Sequence, residues 1–210
     1  MSIDDSTRSV RERDRFFGVA VGVVTNNIDP DELGRVRVEF PWLERSDSYW
    51  ARIAVLMAGK DRGTFFIPEV GDEVLVAFEA GNIRYPYVIG ALWNGQDITP
   101  ETNSDGENNI RVIKSRSGHK ILLDDKEGCE KIEFIDKSEK NIISIDTKDN
   151  TITISSDKDI IMKAPNGKIS LECMEFEAKS YSIAEVEASA GLKLRSGGTT
   201  SISGTLVTIN

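Results

Sequence analysis

Few residues in this chain are equipped for chemistry. His119 is the only histidine, and Cys129 and Cys173 are the only cysteines. His119 lies in Ser-Gly-His-Lys. Three copies around a symmetry axis could ligate a metal, but no second His or nearby Cys completes a ligand set. A hydrogen-bonded residue at a domain junction is the plainer reading. The lone histidine also weakens any Ser-His-Asp reading. Asp124 and Asp125 could suggest the carboxylate pair of a glycoside hydrolase. Adjacent strand residues point to opposite faces, so the pair cannot face one substrate, and a turn is expected. Two cysteines make no disulfide framework; reduced thiols, buried or in turns, are expected. No catalytic and no metal-binding residue is assigned.

Two further groups are candidates for binding. Trp42, Tyr49, Trp50, Tyr85 and Tyr87 could form a stacking platform for single strands or sugars. Core and inter-subunit packing is the preferred reading. Arg8, Arg11, Arg13 and Arg15 alternate with Glu12 and Asp14, and residues 1–15 sum to zero charge. That balance argues against a nucleic-acid arm and favours an arm that orders on a partner. The whole chain carries −9. A phosphate-tracking surface needs clustered Lys and Arg, so nucleic acid is not an expected partner.

The elements that would position these residues fall into two kinds. Hydrophobic residues make up 39% of the 210 residues, enough for a packed core. No apolar run reaches the ~20 residues of a membrane helix. The N-terminus lacks the apolar stretch of a secretory signal, so synthesis in the cytoplasm without a leader is expected. Twelve of fifteen aromatics lie in residues 16–95, which can build a core around large rings. Five segments there alternate like strands: 16–27, 34–43, 50–57, 72–81 and 85–94. Short helical turns are allowed near 44–49 or 58–63. A small barrel or sandwich results. Residues 96–110 carry four acids and no base, a linker composition.

Residues 111–210 read differently. Apolar pairs recur: Ile132-x-Phe134, Ile143-x-Ile145, Ile152-x-Ile154, Ile160-x-Met162, Ile169-x-Leu171 and Leu192-x-Leu194. Polar turns separate them. This is the pattern of a stacked β-solenoid. One such strand per step cannot surround its own apolar row. These pairs are therefore the expected core of a homo-oligomer, and a three-chain prism is the smallest closed solution. Twelve or so strands at ~4.8 Å give a rod of roughly 50–60 Å.

Several runs also resemble a known family. Gly34-Arg35-Val36-Arg37-Val38, Phe40-Pro41-Trp42, Phe65-Phe66-Ile67-Pro68-Glu69-Val70-Gly71-Asp72-Glu73-Val74 and Val88-Ile89-Gly90 are similar to the VgrG and phage baseplate-V (gpV-like) spikes. The similarity continues through Asn108-Asn109, Ser115–His119 and Leu123-Asp124-Asp125. It implies an all-β protein: an N-terminal OB-fold barrel, then an intertwined trimeric triangular β-helix. The expected domains are an arm (1–15), the OB-fold (16–95), a linker (96–110) and the spike (111–210). The resemblance implies a non-enzymatic central spike of a contractile machine: a phage tail, a tailocin, a type VI system or an extracellular injection particle. It further implies a baseplate hub at the OB end, touched by Arg11, Arg13, Arg15 and Phe16, and a PAAR-like tip protein at Thr205, Leu206, Val207, Thr208, Ile209 and Asn210. Only about 15 residues precede Phe16, so the hub is expected on a separate chain. The chain lacks the His-x-His tip of shorter phage spikes, so no cofactor is expected, although ions on the three-fold axis remain open. Thr199-Thr200-Ser201 suit narrow stacked strands or tip docking. The rival readings are a β-helical polysaccharide depolymerase and an OB-fold nucleic-acid module.

Overall fold

The computed structural model describes residues 15–43 and 48–208. It divides into two compact units, one ending at Asp159 and one beginning at Ile160. The first unit holds every strand among the described residues, and no α-helix occurs there.

Seven strands build its N-terminal part. They are β1 (Val19–Asn26), β2 (Arg37–Glu39), β3 (Arg52–Ile53), β4 (Ala58–Gly59), β5 (Arg62–Gly63), β6 (Glu73–Phe78) and β7 (Pro86–Leu92). The sheet order is β2-β1-β6-β7-β3, with β3 and β7 its parallel pair. An antiparallel bridge, Val36 to Ala51, joins the flanks of β2 and β3 and closes the ring. A five-stranded Greek-key barrel of this kind is an OB-fold. Each of the five segments read as strands contains one of these five barrel strands. The turn at 58–63 is instead the β4–β5 hairpin. Residues 44–47 lie outside the described residues, and among the described residues the one short helical turn falls at Glu79–Gly81.

Alternation decides which side chains fill the barrel. In β6, Val74, Val76 and Phe78 are buried between half-buried neighbours. The fully buried side chains are mostly valines: Val24, Val36, Val38, Val74, Val76 and Val88. Each contributes roughly 1.5–3 kcal/mol by leaving water. The expected ring-built core is met in part: Phe40 and Phe78 are buried in it and Phe16 packs against it. Valines fill most of the rest, and four rings make one contact cluster. There Phe16 stacks on Trp42 at 5.1 Å, and Phe40 and Phe78 tilt together at 5.6 Å.

Residues 110–155 form a second sheet. Its strands are β8 (Ile110–Lys114), β9 (Lys120–Asp124), β10 (Lys131–Ile135), β11 (Ile142–Asp146) and β12 (Thr151–Ser155). They run as an antiparallel meander made within one chain. Five strands at ~4.8 Å spacing span about 19 Å. The apolar pairs at 132–134, 143–145 and 152–154 each fall in a strand, and the polar runs between them are the turns.

The second unit, residues 160–208, has no strand, and all its side chains are exposed. Ile160, Met162, Ile169, Leu171, Leu192 and Leu194 are 54–75% exposed. A lone segment with one apolar row has nothing to pair with or to cover it, so single-chain packing gives it no sheet.

Candidate functional site

The register of the meander sorts its side chains by face. Ile113, Ile121, Phe134, Ile143 and Ile154 stand opposite one another in a row across all five strands. Leu123, Ile132, Ile145 and Ile152 make a second row, begun by Arg111. All nine apolar side chains are 39–73% exposed. The other face is mixed: Lys131, Glu133, Asp124 and Ser144 share it with the half-buried Ile110, Val112, Leu122, Ile135 and Ile142, and Lys131 pairs with Glu133 at 3.1 Å. One sheet therefore has a mixed, half-buried face and a continuous apolar face that no layer covers among the described residues. An apolar face of this extent marks an interaction site.

The turns are fixed by local bonds. Ser138 Oγ donates to Asp136 at 2.8 Å, and Asn141 Nδ2 donates to it at 3.1 Å. These bonds, the Ser138 hydroxyl first, hold the Asp136 carboxyl below the usual carboxylate range. Lys120 reaches Glu139 at 2.7 Å and lowers its pKa. His119 Nδ1 accepts the Lys137 backbone N–H at 3.2 Å, so His119 ties the β8–β9 turn to the β10–β11 turn. In the same turn, Arg116 meets Glu69 at 2.7 Å and links meander to barrel. His119 is thus hydrogen-bonded as the plainer reading expects, but within the meander, and the contact to the barrel is made by Arg116. Asp124 accepts the Lys126 N–H at 3.0 Å, and Asp125 pairs with Arg111 at 2.6 Å. The two acids end a strand and open a turn rather than converging on a groove. Cys129 and Cys173 are both exposed, which corrects the buried alternative; Cys129 sits in a turn closed on Lys126.

The aromatic group is scattered rather than stacked as a platform. Trp42, Tyr49 and Tyr85 are about half exposed, and none of the five enters the core. Arg37 and Arg35 lie over the Trp50 ring at 5.0 and 5.7 Å, and Arg52 over Tyr87 at 5.6 Å. Sequence reasoning missed the arginine clamp beside them. Asp29 accepts from Arg35 Nε at 2.8 Å and Nη2 at 2.6 Å, and from the backbone N–H groups of Asp31, Leu33 and Arg35. The Arg35 guanidinium, above all, holds the Asp29 carboxyl far below its ordinary range. A depressed carboxylate stabilises the fold above its unfolded pKa near 4 and loses that contribution as pH falls through the folded value. Asp29→Asn is therefore expected to melt below the parent at pH 7. The gap should shrink at pH 2.5, as thermal melts at the two pH values will show.

Arg15 bridges to Asn82 and is exposed. Phe16 N–H donates to the Gly81 carbonyl at 2.7 Å, and its ring packs on Trp42 and Phe78. Thr205, Leu206, Val207 and Thr208 are exposed. Arg11, Arg13, Ile209 and Asn210 lie outside the described residues. Among the described residues, no group of His, Cys, Asp and Glu side chains assembles a metal site, and no helix is long and apolar enough to cross a membrane.

Barrel and meander together define an all-β protein built on an OB-fold. Residues 20–93 match the family described as the type VI secretion system/phage-baseplate injector OB domain. The chain is 30% identical over 153 residues to type VI secretion system spike protein VgrG1b of Pseudomonas aeruginosa, covering 67% of this chain and 20% of that protein. It is 30% identical to VgrG1a of the same organism, over 61% of this chain and 22% of the relative. It is 29% identical to VgrG3 of Vibrio cholerae, over 56% of this chain and 12% of the relative. The chain is thus a VgrG-like, gpV-like protein, and it spans between an eighth and about a fifth of the length of these relatives.

Proposed function

We propose that this chain is a non-enzymatic, trimeric central spike of a contractile injection machine, which joins a baseplate hub to a tip protein and pierces the target envelope on firing. The observation that carries this reading is the pair of apolar rows on the meander. Nine large side chains on one face need a cover, and two further copies supply it symmetrically. In that arrangement the rows become the axis of a β-prism, together with Ile160, Met162, Ile169, Leu171, Leu192 and Leu194. The intertwined second unit would gain from its neighbours the strand partners that it lacks alone. Load along the axis would then be shared over many backbone hydrogen bonds.

The identity to spike proteins supports a structural role in a baseplate or injection particle. Arg11, Arg13, Arg15 and Phe16 are assigned to the hub contact, and Thr205–Asn210 to a PAAR-like tip. Neither the depolymerase nor the nucleic-acid reading gains support from the geometry, since Asp124 and Asp125 are engaged in turn bonds and the rings form no platform. Light scattering should give a solution mass near three times 23.2 kDa; a stable monomer would remove the reading. Removal of the chain from Thr199 onward should abolish binding of a PAAR-like protein in a pull-down. Unchanged binding would remove the tip assignment.

A further inference from the structure

The barrel carries a second exposed apolar feature, on and around the β4–β5 hairpin. Leu56 is 95% exposed, Met57 53%, Phe65 81% and Phe66 64%. Four large apolar side chains within eleven residues are more than a solvated hairpin needs. The hairpin itself is fixed. Ala58 pairs with Gly63, and Thr64 N–H donates to the Met57 carbonyl at 3.0 Å. The ridge is therefore presented on a rigid support. It walls a groove of about 1120 Å³ that also reaches Arg52 and Arg62.

The chain path joins this ridge to the meander rows. Glu69, three residues beyond Phe66, meets Arg116 in the β8–β9 turn. The row of Ile113, Ile121, Phe134, Ile143 and Ile154 is the one nearer that turn, since Ile113 and Ile121 flank it on β8 and β9. Ridge and row thus converge on one junction, and a partner covering the row stands next to the ridge.

We propose that the Leu56–Phe66 hairpin is part of the contact between copies: in the assembled spike each barrel lays this ridge against the neighbouring copy. The inference rests on the trimeric reading and extends it from the β-helix to the barrel. A ring of three needs contacts that repeat around the axis, so every hairpin meets the same surface of the next copy. Charge favours a copy of this chain as occupant. Arg52 and Arg62 have no carboxylate partner among the described residues. The acids Asp97, Glu101, Asp105 and Glu107 of the linker have no cation partner among the described residues, and Ile98 beside them is 83% exposed. Glu32 and Asp61 line the same groove, so the apolar ridge rather than net charge sets the affinity.

Thiol labelling of the full chain tests this. Leu56→Cys and Phe66→Cys are made singly with Cys129→Ser and Cys173→Ser, and Lys148→Cys, in the exposed β11–β12 turn, serves as the reference. Maleimide rates are compared between the assembled chain and the same chain carrying Phe134→Asp, with the mass of each measured by light scattering. The expected result is a rate at positions 56 and 66 at least tenfold slower in the trimer than in the monomer. Equal rates in a chain that weighs as a trimer would overturn the hairpin contact and leave the trimer standing. Slowing that appears only when a hub protein is added would assign the ridge to the hub and overturn it as well. A monomeric parent would overturn both readings.

Discussion

Phe134→Asp with Ile145→Asp is expected to reduce the solution mass from about three chains to one. Phe134 and Ile145 occupy the inner strands β10 and β11, one in each apolar row, opposite Ile143 and Ile132. In a single chain they are 47% and 40% exposed, so the substitutions remove little from the fold of one subunit. In the proposed prism the same positions face the axis and occur three times. Each loses roughly 1.5–3 kcal/mol of apolar burial and brings a carboxylate that three-fold symmetry places near two others. Uncompensated burial of a charge costs several kcal/mol more, so the close-packed trimer cannot survive. Light scattering across a dilution series measures the outcome. Retention of a denaturant-resistant trimer would show that the apolar rows face outward, and the spike reading would fall with it.

Much of the architecture was legible in the sequence because period-2 alternation reports which face is buried, whatever covers it. The pairs Ile132-x-Phe134, Ile143-x-Ile145 and Ile152-x-Ile154 announced strands, and the polar runs between them announced turns. The barrel strands were legible for the same reason. What alternation does not report is the size of the space behind it. The aromatic count suggests a core built around rings, whereas Phe40 and Phe78 are buried among valines and Phe65 and Phe66 stay outside. The arginine clamp was also hidden. Asp29, Asp31 and Arg35 look like ordinary turn residues until the loop folds Asp29 onto three backbone N–H groups and a guanidinium. Beyond Ile160 the apolar pairs continue but no strand forms within one chain. A row that depends on other chains leaves its period in the sequence and nothing in a single subunit.

Gly22→Val is expected to unfold the barrel while leaving the assembly intact. Gly22 sits in the middle of β1, where the sequence gives no hint that side-chain size matters. A Cβ there would stand 2.4 Å from Val38 Cγ1, 2.8 Å from the Glu39 carbonyl oxygen and 3.0 Å from Phe40 Cδ1. Val38 could turn, but it is fully buried, and the backbone carbonyl cannot withdraw without breaking the β1–β2 ladder. Even Gly22→Ala should cost about 1–3 kcal/mol as overpacking, or about 5–20 °C in the melting transition of a domain this small. Valine adds two methyl groups against the same wall and should abolish that transition. The meander has its own ladders and its own apolar face, so the mass should remain near three chains. The two substitutions act in opposite senses: one removes the assembly and keeps the barrel, the other removes the barrel and keeps the assembly. If Gly22→Val also yielded monomers, the barrel would be required for trimer formation, and the hairpin rather than the β-helix would be its dominant contact.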